Sequence, residues 1–143
     1  MRIEPATSAH AQAIAAIYDE AARTTPATFD LEGHTPDWWA GVIAAGDYPF
    51  VVAVDGDVIG FARATQHKVK PAYATTCETS VYVAGSARGH GAGRALIAAV
   101  TDWARERGCA RLYWSTQESN ATARRLYDQV AQNRGFIRYD ITL

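Results

Sequence analysis

The sequence predicts an α/β domain with a mixed sheet, in the order β-α-α-β-β-β-α-β-α-β. Three observations predict it. Short blocks of β-branched and aromatic residues stand at 50–54, 58–64 and 75–83. Apolar residues recur at helical spacing over 11–21, 92–103 and 123–131. A glycine-rich stretch, Val81 to Arg94, joins the third strand-like block directly to the second helical pattern.

Arg2 to Ala6 reads as a first strand, stopped by Pro5 and the Thr7-Ser8 pair. Ser8 is placed to cap a helix with a buried stripe of Ala11, Ile14, Ile17, Tyr18 and Ala21. The segment from Arg23 to Gly33 is irregular. Thr35 and Pro36 then form an N-cap and first-turn pair for a second helix carrying Trp38, Trp39, Val42 and Ile43. Adjacent tryptophans cannot both face a core squarely, so either one lines a pocket or one is core beside a half-exposed neighbour. Phe50 to Val54 and Val58 to Ala64 are strands joined by a turn at Asp55-Gly56. Thr75 to Val83 is the next strand. The helix after the glycine stretch ends at Gly108, a C′ residue, and Arg111 to Ser115 is a strand. Asn120 or Ser119 caps the last helix, with stripe Ala123, Leu126, Tyr127, Val130 and Ala131, and Phe136 to Leu143 is the final strand.

A strand, a glycine loop and a helix N-terminus together make an anion site. Glycine lets backbone approach a ligand closely, several N–H groups converge, and the helix dipole adds partial positive charge. The alternative is an ordinary glycine-rich turn. A P-loop pattern cannot be drawn through these residues. The dinucleotide pattern fails as well: after Gly89 and Gly91 its third glycine falls on Arg94, and no opening βαβ unit holds the loop.

Composition bounds the rest. A chain of 143 residues, 48% hydrophobic and 20% charged, fits a single soluble globular domain over 1–143. A net charge of −1 gives no support to nucleic-acid or membrane-surface binding. No run has the make-up of a signal peptide or membrane span, and with two cysteines, Cys77 and Cys109, the expectation is reduced thiols in a cytoplasm. Cys77 reads as core. His10, His34 and His67 show no metal-ligand spacing, so no metal is expected.

What does match is Arg-x-x-Gly-x-Gly, Arg88 to Gly93, after Val81-Tyr82-Val83. It resembles the acetyl-CoA loop of the GNAT superfamily of N-acetyltransferases, and the element order is that superfamily's over nearly the whole chain. Lys70-Pro71-Ala72-Tyr73, Thr76, Glu78 and Ser80 to Val83 resemble the Arg-x-Ala-Tyr-x-x-Thr-x-Glu-x-x-Val-Tyr-Val run of phosphinothricin and other amino-acid acetyltransferases. Lys70 stands where those enzymes have arginine, which keeps a charge and loses a planar fork. Asn120 to Phe136, with Arg125-Leu126-Tyr127-Asp128, is similar instead to a branch acting on polyamines or proteins.

The resemblance implies a three-layer domain around a mixed, mostly antiparallel sheet. It also implies acetyl transfer from acetyl-CoA to an amine by direct attack on the thioester. Val81, Tyr82 and Val83 would pair with the pantetheine arm; Arg88, Gly89, His90, Gly91, Ala92, Gly93 and Arg94 would supply the phosphate grip. The His90 side chain itself reads as loop surface. Asn120 is either a pantetheine partner or a plain cap, and Arg124 and Arg125 meet the 3′-phosphate or face solvent.

An acceptor ammonium, with a pKa of about 10, must lose a proton before attack, and Glu78 is the candidate base. Tyr127 is the candidate acid for the departing thiolate. Their bland alternatives are a solvated or ion-paired glutamate and a core tyrosine. Phe29, Trp38, Lys70 and Tyr73 would line the acceptor pocket, with Lys70 on an acceptor carboxylate. A small amine such as an amino acid is the expected acceptor; a polyamine or protein amine and a non-catalytic acetyl-CoA-binding module are the alternatives. The family's last hairpin is cut short here, so a homodimer completing the C-terminal edge of the sheet is also expected.

Overall fold

A computed structural model describes residues 1–25, 28, 32–46, 48–66, 76–135 and 137–142. In chain order these form β1 (Arg2–Pro5), α1 (Ala11–Thr24), α2 (Pro36–Ala45), β2 (Phe50–Asp55) and β3 (Asp57–Gln66). Then come β4 (Thr76–Val83), α3 (Ala92–Glu106), β5 (Arg111–Tyr113) and α4 (Ala121–Val130). The strands stand side by side in sequence order, β1 to β4 antiparallel and β5 parallel to β4. The mixed, mostly antiparallel α/β layout is therefore present.

Each face of the sheet follows from strand alternation. Val52, Val54 and Phe61 pack under α1 and α2 with Ile14, Tyr18 and Trp39. Ala53, Ala62 and Ala64 face Ala92, Leu96 and Val100 of α3. Small residues on that second face let the helix lie close: a Cβ on Gly60 would come within 2.9 Å of the Tyr82 carbonyl and 3.1 Å of Leu96. Thr35 caps α2 by accepting the Trp38 N–H at 3.1 Å, as its position predicts.

Two expectations are corrected. Ser8 does not cap α1; it opens a 3₁₀ turn, Ser8–His10, in which the Thr7 N–H donates to His10 Nδ1 at 3.0 Å. The final strand expected over 136–143 is not found among the described residues, of which 137–142 carry no regular structure. A strand gains stability from a paired neighbour and a covered face. Here Ile137, Tyr139 and Ile141 are 75%, 86% and 87% exposed. Among the described residues no helix is long and apolar enough to cross a membrane.

Candidate active site

The site begins where two strands part. β5 pairs with β4 only at Thr76↔Arg111, Cys77↔Leu112 and Glu78↔Tyr113. β3 continues beside β4 from Gly60↔Val83 to Gln66↔Cys77. Among the described residues, 79–83 of β4 are therefore bonded to β3 along one edge and open along the other. Such an edge offers a row of N–H and C=O groups to an extended ligand arm.

The strand then runs into a short 3₁₀ turn, Gly85–Ala87, held by Glu20 of α1, whose carboxylate accepts the Gly85 N–H at 3.1 and 3.2 Å. Gly89 and Gly91 lie at φ +80° and +88°, conformations that side chains resist, and they turn the chain into α3. Helical bonding begins with the Ala95 N–H on the Gly91 carbonyl at 3.0 Å. That leaves the N–H groups of Ala92, Gly93 and Arg94 without helical acceptors at the positive end of the dipole.

These pieces wall a cleft of about 470 Å³ between the open edge of β4, the start of α3, and α4. Arg88, Arg94 and Arg125 line it, and no carboxylate does among the described residues. Arg88 Nε donates back to the Val83 carbonyl at 3.3 Å, and Arg94 donates to Gln129 of α4. Of the residues expected on the cofactor side, Val81 to Val83, Arg88, Gly89, Gly91 to Arg94, Asn120 and Tyr127 all line this cleft. His90 does not; its exposed ring lies 3.4 Å from the Ala87 carbonyl. Asn120 makes no side-chain cap and donates to Thr116 Oγ1 at 2.9 Å. Arg124 donates to the Glu118 carbonyl at 2.9 Å, so of the arginine pair only Arg125 lines the cleft. Ala21 of α1 and Thr25 just after it also line the cleft, which helical periodicity alone did not reveal.

Tyr127 meets Trp114 edge-on, with ring centroids 5.3 Å apart. Burial, aided by the neighbouring Tyr82 phenol, holds its pKa above the ordinary value. The phenol thus keeps its proton at neutral pH and can donate it.

On the other face of β4 lies a second cavity of about 310 Å³, between the sheet, α1 and α2. Tyr82 lines both cavities and is the wall they share. Its ring stands edge-on to Tyr18 at 5.1 Å. Trp38 is 44% exposed and stacks on His34 at 3.9 Å, whereas Trp39 is 3% exposed. Both tryptophans line the cavity. Trp39 is also core, and its indole N–H has no partner among the described residues. The Tyr18 hydroxyl lies 2.9 Å from Thr28 Oγ1, which brings part of the irregular segment to this wall. Phe29, Lys70 and Tyr73, expected here from the sequence, lie outside the described residues.

Glu78 lines the same cavity. Its β5 neighbour Tyr113 is hydrogen-bonded to it, and that phenol's pKa is raised by burial first and then by the Glu78 charge and hydrogen bond. Arg63 of β3, opposite Ser80, enters the cavity as well. Burial lowers the pKa of its guanidinium, with the Tyr82 and Tyr18 phenols opposing. No carboxylate forms an ion pair with it among the described residues. The sequence shows one signal of its place, a charge on the face of β3 between Phe61 and Thr65 that otherwise turns toward the aromatic core.

An open strand edge that leads to a cation-lined helix N-terminus suits a ligand with an extended arm and a polyphosphate head, the shape of coenzyme A. The chain belongs to the acetyltransferase (GNAT) family, whose model matches residues 14–131. It is an acetyl-CoA-dependent N-acetyltransferase. A phosphinothricin N-acetyltransferase of Streptomyces coelicolor is 32% identical over 134 residues, spanning 89% of this chain and 78% of that one. The crystal structure of a ribosomal-protein-alanine N-acetyltransferase from Brucella melitensis superposes with TM-score 0.84 at 30% identity, covering 91% of this chain and 83% of the other. A phosphinothricin acetyltransferase from Sinorhizobium meliloti, solved in complex with acetyl-CoA, gives 0.83 at 27% identity, covering 90% and 72%.

Proposed function

We propose that this enzyme acetylates the primary amine of a small, carboxylate-bearing acceptor, an amino acid or a close analogue. The observation that carries the reading is Arg63. A guanidinium stays charged at any ordinary pH, and partial burial with no carboxylate paired to it among the described residues costs free energy that an incoming carboxylate recovers. The aromatic walls around it suit a small organic side chain, and Glu78 stands on the same face to receive a proton from the amine. In this reading Arg63 takes the carboxylate-pairing chemistry that the sequence assigned to Lys70.

The pyrophosphate sits on the N–H groups of the loop from Gly89 to Arg94, and the pantetheine arm lies along residues 79–83. The thioester then meets the amine beside Tyr82, where the two cavities adjoin. Glu78 is the general base and Tyr127 the general acid. Similarity to enzymes named for phosphinothricin, an amino-acid analogue, supports the acceptor class.

Thiol release from acetyl-CoA, screened over amino acids, their decarboxylated amines, polyamines and peptides, tests the reading. The amino acids are expected to win. Arg63→Leu is expected to raise their KM about tenfold to a hundredfold, matching the ~1.5–3 kcal/mol of a hydrogen bond to a charged group. Acetyl-CoA affinity and the KM of a decarboxylated amine should stay put. Efficient turnover of spermidine or a peptide, with no response to amino acids, would overturn the assignment.

We also read the enzyme as a homodimer in which strand pairing covers the exposed Ile137, Tyr139 and Ile141 of each copy. Light scattering at micromolar concentration is expected to give twice the chain mass; a single-chain mass refutes it.

A further inference from the structure

Cys77 and Cys109 are 32 residues apart in sequence, and the fold brings their sulfurs to 3.3 Å. Neither is in a disulfide. Cys77 lies on β4, on the α3 side of the sheet and opposite in direction to Glu78, and is 2% exposed. Cys109 follows Gly108, which turns the chain at φ +71° after α3, and it is partly exposed. The Cys109 N–H donates to the Ala104 carbonyl at 2.9 Å, so the residue is held at the helix end without belonging to a strand. One thiol is thus fixed in the sheet interior, and the other is reachable from solvent in a turn.

We propose that Cys77 and Cys109 are a redox-active dithiol, closed to an intramolecular disulfide by a hydroperoxide and reopened by thiol reductants. Cys109 is the thiol an oxidant meets first. Its thiolate attacks a peroxide oxygen, the O–O bond breaks, and Cys109 becomes a sulfenic acid while the other oxygen leaves as water or alcohol. The Cys77 sulfur then attacks the Cys109 sulfur. The S–O bond breaks, the hydroxide takes up the Cys77 proton, and water leaves. Two thiols have lost two protons and two electrons, and one hydroperoxide has been reduced.

Geometry favours this outcome over deeper oxidation. The sulfenic acid forms beside a second thiol, so ring closure competes with encounter of another peroxide molecule. A disulfide needs its sulfurs at about 2.05 Å, roughly 1.2 Å closer than they now stand. Cys109, in a turn, can supply that movement while β4 stays in the sheet. Burial, with Cys109 adding to it, pushes the Cys77 thiol up to about 11. Closure should therefore quicken as pH rises, because the resolving thiolate becomes more abundant. The bond would tie the end of α3 to β4 one residue before Glu78. The cleft along residues 81–83 lies toward the other end of the strand, so cofactor binding should not change.

The test is intact mass after stoichiometric hydrogen peroxide, with remaining thiols alkylated under denaturing conditions. The expected result is a chain about 2 Da lighter with neither cysteine alkylated, reversed by dithiothreitol. Tm should rise in the oxidised form, because a cross-link between Cys77 and Cys109 restricts the unfolded chain. Cys109→Ala, at a partly exposed turn, should abolish both the mass loss and the Tm rise while leaving acetyl-CoA affinity unchanged. Cys77→Ser should do the same to the mass, and Cys109→Ala alone decides if that buried variant does not fold. Two alkylatable thiols after peroxide, oxygen addition on Cys109, or a disulfide between chains would each overturn the proposal and leave the pair as packing.

Discussion

Tyr127→Phe is expected to lower kcat about a hundredfold while acetyl-CoA binds within about twofold of its original affinity. The change removes one hydroxyl and keeps the ring against Trp114, so it costs little packing. General acid catalysis contributes roughly 10²–10⁴-fold, and two considerations select the lower end. Burial holds the phenol above its ordinary value near 10, which keeps it protonated across the working range but makes it a reluctant donor. Its partner is a thiolate of pKa about 8.5, a good leaving group that water can also protonate.

The pH profile separates this role from a structural one. The acid form is needed, so the original enzyme should lose activity as pH rises through a value above 10, and the phenylalanine variant should lack that limb. An unchanged kcat would return Tyr127 to the status of a core residue.

Local chemistry made part of this molecule legible in advance. The stretch from Val81 to Arg94 could be read because each instruction in it is short-range: β-formers, then glycines at positive φ, then helical spacing. The Thr35 cap is of the same kind. What stayed hidden depends on register. Arg63 joins the cavity that Glu78 lines only because β3 and β4 pair Arg63 with Ser80 and Thr65 with Glu78. Glu20 holds Gly85 across 65 residues, and Cys77 meets Cys109 across 32. Helical periodicity gave α1 its buried stripe but could not tell which neighbours Ala21 and Thr25 would face. The last strand is absent for a related reason: alternating side chains permit a strand, but pairing makes one, and residues 137–142 have none among the described residues.

Glu78→Gln is expected to lower kcat/KM for the acceptor by about 10²–10³-fold at neutral pH, with acetyl-CoA affinity unchanged. Glutamine has nearly the same shape and can still accept the Tyr113 hydrogen bond through its amide oxygen, so the β4–β5 junction should persist. What disappears is the capacity to take a proton from the acceptor ammonium. The variant must then wait for amine that is already neutral, a fraction that grows tenfold with each pH unit up to the amine's pKa of about 10. Its kcat/KM should accordingly climb with unit slope to that pH, while the original enzyme levels off earlier, and the gap between them should narrow from below. Arg63→Leu, by contrast, should leave the shape of the pH profile alone and act on acceptor KM, which separates loss of a proton acceptor from loss of an anchor. If Glu78→Gln keeps both the rate and the profile, Glu78 is only the partner of Tyr113, and the base must be sought among the other groups of the cavity, beginning with His34.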